Sequence, residues 1–96
     1  MELGKLREHM TLYSDSTGTA MGSIDVHEGG VMLSADGQRF LFPLDYVESI
    51  TPERELALGK VQAKMVFYEI MGMRHERRFI ISGVHLAVLR KMCGKD

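Results

Sequence analysis

The sequence predicts an α+β domain: a bent antiparallel sheet, curled into a small barrel and closed by one C-terminal helix. Three observations carry that prediction. Residues 38–50, QRFLFPLDYVESI, read as a strand ended by a proline and followed by a docking segment. Phe40 and Phe42 share one face, Pro43 interrupts backbone donation, and Leu44, Val47 and Ile50 recur every third position. Asp36-Gly37 sits between Leu33 and Phe40, a strong hairpin signal because both turn residues tolerate positive φ. After Ser82 the apolar residues change to helical spacing.

Each element has its own justification. Residues 5–13 alternate loosely around Leu6, Met10 and Leu12 and are expected to form the first strand. Ser14, Asp15, Ser16, Thr17 and Gly18 make a turn-forming run. Ala20, Gly22, Ile24 and Val26 then face one side, with Met21, Ser23 and Asp25 opposite, the period-two pattern of a half-buried strand. Residues 27–30, HEGG, form the next turn, with the two glycines expected to supply positive φ. Val31, Met32 and Leu33 follow as a short strand, and residues 39–42 return beside it.

Pro43 makes residues 44–50 a turn and edge segment rather than a central strand. The polar run TPERE, residues 51–55, reads as a loop whose Thr51-Pro52 start can nucleate one helical turn. Residues 61–71 are rich in apolar and aromatic side chains and read as a well-buried strand. Gly72 marks the bend, and residues 74–81 return as its partner. Ser82 suits a helix N-cap, Val84, Leu86, Val88, Leu89 and Cys93 form the apolar stripe, and Gly94 suits a left-handed C-terminal cap. Arg90, Lys91 and Lys95 fall where cations favour the helix dipole.

Composition bounds the function. Ninety-six residues with 45% hydrophobic content support one domain, residues 1–96, with one core and no need of metal or disulfide staples. A net charge of -1 lacks the basic excess that phosphate neutralisation demands, so nucleic acid is not an expected partner. The single cysteine, Cys93, cannot form an internal disulfide, and neither a signal peptide nor a membrane-spanning run is visible; the expected location is cytoplasmic. Eight methionines are scattered without a helical stripe and read as core filling rather than as an adaptable binding surface.

Catalytic and metal chemistry find little support. His9, His27, His75 and His85 are widely spaced and show no metal-ligand pattern, so no metal and no cofactor are expected. Cys93 falls on the apolar side of the helix, the setting of a small core residue rather than a nucleophile. Glu53 with Glu55, and Asp45 with Glu48, lie in polar segments, the setting of a solvated face rather than of acid-base work. The glycines at 18, 22, 29 and 30 precede strands, not helix N-termini, and do not make a phosphate loop.

One cluster survives as a candidate binding site: Arg74, His75, Arg77 and Arg78, just past the hairpin bend. It reads either as an anion-facing patch or as an ordinary strand in which Arg74, Glu76 and Arg78 form one exposed face, with His75 and Arg77 partly paired to local acids. Free strand edges supply a second contact mode through backbone hydrogen bonds; Pro43 is expected to protect one edge, and a homodimer through the other is the further partner expectation.

FPLDYVESI resembles the strand-end segment of PH-like and GRAM-like domains, where a pattern of the type PL-x-x-I-x-x-I follows a strand. MVFYEIMGMRHERRFIISGVHLAVLRKM, residues 65–92, resembles the final hairpin and closing helix of that superfold. The resemblance covers roughly residues 19–93 and rests on hydrophobic pattern. It implies a bent PH-like barrel whose open end the helix plugs, and a role in binding phosphoinositides, peptides or protein surfaces rather than catalysis. Lipid-binding members carry several Lys and Arg around the loop joining their first two strands; here that stretch is YSDSTGTA, with Asp15 and no cation. The short cadence GSI…L…PL…I is also similar to the adaptor family that links archaeal chemotaxis signalling to the archaellum motor. The expected function is a non-enzymatic protein-interaction module, an adaptor in a signalling assembly. The alternative is an anionic-ligand or membrane-surface binder using the arginine cluster.

Overall fold

In a computed structural model that describes residues 2–95, seven strands and one helix follow in chain order. They are β1 (Leu6–Tyr13), β2 (Ala20–His27), β3 (Gly30–Ala35), β4 (Gln38–Phe42), β5 (Val47–Glu55), β6 (Lys60–Tyr68), β7 (Arg74–Ser82) and α1 (Gly83–Met92). Single 3-10 turns lie at Leu44–Tyr46 and Ala57–Gly59. The strands form one antiparallel sheet in the order β4-β3-β2-β1-β7-β6-β5.

Two meanders make up this sheet, four strands in one and three in the other. They meet at a narrow seam, where β1 and β7 pair only through Leu12↔Ile81 and Tyr13↔Ile80. Away from the seam the halves diverge and fold onto each other, with Phe42 of β4 stacked on Phe67 of β6 at a centroid distance of 4.3 Å. Met10, Leu12, Ile24, Leu33, Met65 and Ile81 fill the space between them, fully buried. Burial of one such side chain contributes about 1.5–3 kcal/mol. Inward and outward residues alternate along most of the strand length, which is how a sequence of period two makes a dry inner face. The exceptions are β6, where Met65, Val66 and Phe67 are buried in succession, and the start of β5, where a ladder break leaves Val47 and Ile50 both buried.

The expected closed barrel is an open sheet. β4 and β5 are its two edges, separated because Pro43 has no N–H to donate and the Leu44–Tyr46 turn redirects the chain between them. Residues 51–55, expected as a loop, continue β5 to Glu55. An edge strand bonds on one side only, so it tolerates Pro52, and the ladder is irregular between Pro52 and Arg54. The turn before β3 forms as expected but for another reason: neither Gly29 nor Gly30 has positive φ. The N-terminal segment crosses this turn, the Gly29 N–H donates to the Leu3 carbonyl at 2.8 Å, and a Cβ on Gly29 would stand 3.0 Å from the Glu2 carbonyl oxygen.

Asp36 (φ 53°) and Gly37 (φ 75°) make the two-residue hairpin turn that their sequence predicts. The helix ends are equally legible. Ser82 Oγ accepts from the His85 N–H at 3.1 Å. At the other end Gly94 is left-handed (φ 68°), and the Lys95 and Gly94 N–H groups donate back to the Arg90 and Lys91 carbonyls at 2.7 and 3.1 Å. Leu86 and Leu89 carry the helix into the core with Val88, Met92 and Cys93 beside them, whereas Val84 stands in water.

Candidate functional site

The β6–β7 turn is built from side chains that turns seldom use. Glu69, Ile70, Met71, Gly72 and Met73 connect the strands, with the Glu69 N–H donating to the Met73 carbonyl at 3.0 Å and the Gly72 N–H to Glu69 at 2.8 Å. Gly72 takes φ 88°, which a side chain would resist. Ile70, Met71 and Met73 therefore point outward, and Met71 is 88% exposed. Tyr46, in the 3-10 turn that precedes β5, is a fourth large exposed apolar residue. An open groove of about 530 Å³ runs between Asp45, Tyr46 and Glu48 on one wall and Tyr68 and Ile70 on the other, with Lys95 from the helix end at its rim.

Strand alternation distributes the four expected site residues over two faces. Arg74 and Arg78 face outward with Glu76 between them. Arg74 Nη2 lies 3.4 Å from Glu48 Oε2, whose other oxygen accepts from the Tyr68 hydroxyl at 3.2 Å. Arg78 contacts Glu53 at 3.0 Å and Glu76 at 3.3 Å, and Lys64 adds a longer contact to Glu76 at 3.9 Å. Exposed pairs of this kind contribute up to about 1 kcal/mol each. What they do decide is availability, because each outward arginine of the cluster already has a carboxylate.

His75 and Arg77 turn the other way, onto aromatic rings. His75 packs 4.6 Å from the Phe40 ring and 5.3 Å from the Phe67 ring, and Arg77 lies 5.0 Å over Phe40. Such a cation on a ring is worth about 0.5–1 kcal/mol near the surface. Arg77 Nη2 also donates to Gln38 Oε1 at 2.8 Å, bridging the two halves of the sheet from β7 to β4. Glu69 stands 3.3 Å from His75 Nε2, within ion-pair reach but off the line of a hydrogen bond, so that nitrogen has no hydrogen-bond partner. The cluster is contiguous in sequence and divided in space. Of the outward pair only Arg74 adjoins the apolar turn, while His75 meets the turn's Glu69 from the inner face.

The remaining candidates fall into place individually. Glu53 pairs with Arg78, while Asp45 and Glu48 line the groove. Burial pushes the Cys93 thiol up to about 11, against the pull of the Lys95 ammonium, so little reactive thiolate exists near neutral pH. Asp15 is lowered, first by the Thr17 hydroxyl and then by the Thr17 N–H, in a turn cap fully open to water. Among the described residues no three His, Cys, Asp or Glu side chains converge, and no helix is long and apolar enough to cross a membrane.

Tyr46, Tyr68, Ile70, Met71 and Met73 escaped the sequence reading. The available signal was local: three large apolar residues around Gly72, at a bend where polar residues ordinarily sit. Comparison with protein-family models, with curated proteins and with solved structures finds no match to this chain.

Proposed function

We propose that the chain is a non-enzymatic protein-interaction module, and that its docking surface is the end formed by the β6–β7 turn and the 3-10 turn before β5. One observation carries this reading: Ile70, Met71 and Met73 stand in water at a turn that has no structural need of them, beside Tyr46 and an open groove. A contiguous exposed apolar patch is a feature of contact sites. Unbranched methionines adapt to the shape of what covers them, and Tyr46 and Tyr68 add rings with polar tips suited to a half-wet interface.

The PH-like architecture and the adaptor role belong to the same reading. What supports the architecture is the order of elements, a four-stranded meander, a three-stranded meander and a closing helix, with β1 beside β7 and the inner faces packed. Binding an anionic ligand or a membrane surface through Arg74, Arg77 and Arg78 is the competing reading. One observation favours it: Arg74 stands at the foot of the apolar turn, the pairing of cation and apolar side chain that membrane surfaces attract. Against it, Arg74 and Arg78 are engaged by carboxylates and Arg77 faces inward over Phe40.

The discriminating experiment compares wild type, Met71→Asp and the double variant Arg74→Ala/Arg78→Ala. Each is tested for capture of host proteins and for binding to vesicles that contain acidic lipid. The docking reading expects a host protein retained by wild type and the double-arginine variant and lost with Met71→Asp. Salt-sensitive vesicle binding that disappears in the double-arginine variant would favour the membrane reading instead.

A further inference from the structure

The sheet has two free edges, and they are defended unequally. β5 carries Pro52, two breaks in its ladder with β6 (Val47 to Ser49 and Pro52 to Arg54), and the charged run Glu53, Arg54, Glu55. Each of these keeps a second strand from pairing with an edge. β4 has no internal proline and no ladder break; it pairs with β3 in unbroken register from Ala35↔Gln38 to Val31↔Phe42.

The turn at Asp36-Gly37 fixes which backbone groups of β4 remain free. Ala35 and Gln38 close a two-residue hairpin as a hydrogen-bonded pair, so by alternation Phe40 and Phe42 also bond to β3. The N–H and C=O groups of Arg39 and Leu41 therefore point to the open edge. Leu41 is an exposed apolar residue there, and its neighbour across the ladder is Met32. On the inner side, Phe40 and Phe42 are buried against Phe67. A foreign peptide laid along this edge would set its inward side chains beside Phe40 and Phe42, which already fill the core there, whereas pockets for alternate side chains are what give a strand-addition site its selectivity. A strand whose own inward residues are already buried meets no such difficulty. A second β4 is such a strand.

We propose that this edge joins two copies of the chain, β4 pairing antiparallel with β4 of a second copy about a twofold axis centred at Phe40. That register opposes Arg39 of each copy to Leu41 of the other and satisfies the outward backbone groups of both residues. Pro43, which has no N–H to give, stays outside the ladder. The aliphatic stem of each Arg39 covers the exposed Leu41 opposite, and one surface meets itself, as a twofold contact requires. Five residues a side make an interface well below the ~1,600 Å² of a standard complex, so the dimer is weak and concentration-dependent.

Sedimentation of the full chain between about 10 µM and about 1 mM tests this, a window spanning roughly two decades in dissociation constant. Wild type is expected to pass from monomer to dimer across that range. Leu41→Lys sets two cations against each other and is expected to weaken the dimer about tenfold, whereas Leu41→Glu faces Arg39 and holds or tightens it. Hydrogen exchange on wild type supplies a readout that needs no variant: the Arg39 and Leu41 amides gain protection as concentration rises, and β5 amides do not. A wild type that stays monomeric throughout, equal effects of the two substitutions, or protection that grows on β5 instead would each overturn the proposal.

Discussion

The four-stranded half of the sheet turns between β3 and β4 on Asp36 and Gly37, two residues suited to positive φ, and exposes little apolar surface in doing so. The three-stranded half turns between β6 and β7 on Ile70, Met71, Gly72 and Met73, with three large apolar side chains in water. Both turns solve the same geometric problem, and in both a glycine takes the left-handed conformation. The difference lies in what surrounds the glycine. In one half the turn chemistry is spent on the fold alone; in the other the fold is served by Gly72 and the remaining side chains are free for a contact. The three-stranded half also carries the long irregular edge β5, the outward arginine–glutamate pairs and the left-handed Leu58, all features of surface rather than of core.

The largest expected effect lies in the four-stranded half. A Cβ on Gly22 would sit 2.1 Å from the Ser34 carbonyl oxygen on the neighbouring strand, and backbone cannot give way as a side chain can. Gly22→Ala is therefore expected to destabilise by at least about 3 kcal/mol in urea unfolding. A cost under about 1 kcal/mol would mean that β2 and β3 lie farther apart than described. Next come the two turn glycines. Gly37→Ala and Gly72→Ala should each cost about 1 kcal/mol, since neither added Cβ meets a neighbour and only backbone strain opposes it. Unequal costs would break the claim that both turns do the same structural work.

Smaller effects sharpen the account of the three-stranded half. Leu58 holds φ 61° in the Ala57–Gly59 turn with its side chain exposed. Leu58→Gly removes that strain but adds chain entropy, for a net gain of about 0.5 kcal/mol. Cys93 gives a pH signature. Its thiol is held protonated in the folded chain, raised from 9.0 to about 11, so its contribution is complete below pH 9 and is lost as pH climbs from 9 toward 11. Stability of wild type should fall across that window more steeply than that of Cys93→Ala; parallel curves would show that the thiol is not sheltered.

Much of the fold was legible because it is written in near neighbours. The alternation from Gly22 to Val26, the Asp36-Gly37 turn, the Ser82 cap and Gly94 each depend on residues within a few positions. Before Gly22 the expected faces exchange, with Ala20 exposed and Met21 against the core, because the ladder with β1 shifts register there. The errors arose where distant chain decides. The run 51–55 looks like a loop because proline and charge are loop signals, yet both suit a strand that bonds on one side only. Gly29 is explained by Glu2 and Leu3. The division of Arg74, Glu76 and Arg78 from His75 and Arg77 was legible in the alternation, but Arg77 meets Phe40 and Gln38 on another strand, not a local acid. The candidate site was hidden for a related reason. Periodicity ranks residues by face, and a turn belongs to neither face, so Ile70 and Met71 read as the end of a buried strand and Met73, between the bend and the returning strand, carried no reading.

The central claim is that these turn side chains serve a contact and not the fold. Its most direct test is the urea unfolding free energy of the triple variant Ile70→Ser/Met71→Ser/Met73→Ser beside wild type. Surface substitutions that touch no core are expected to leave it within about 0.5 kcal/mol. A loss of more than about 2 kcal/mol, the scale of removing buried side chains, would contradict the claim and return the three residues to the core.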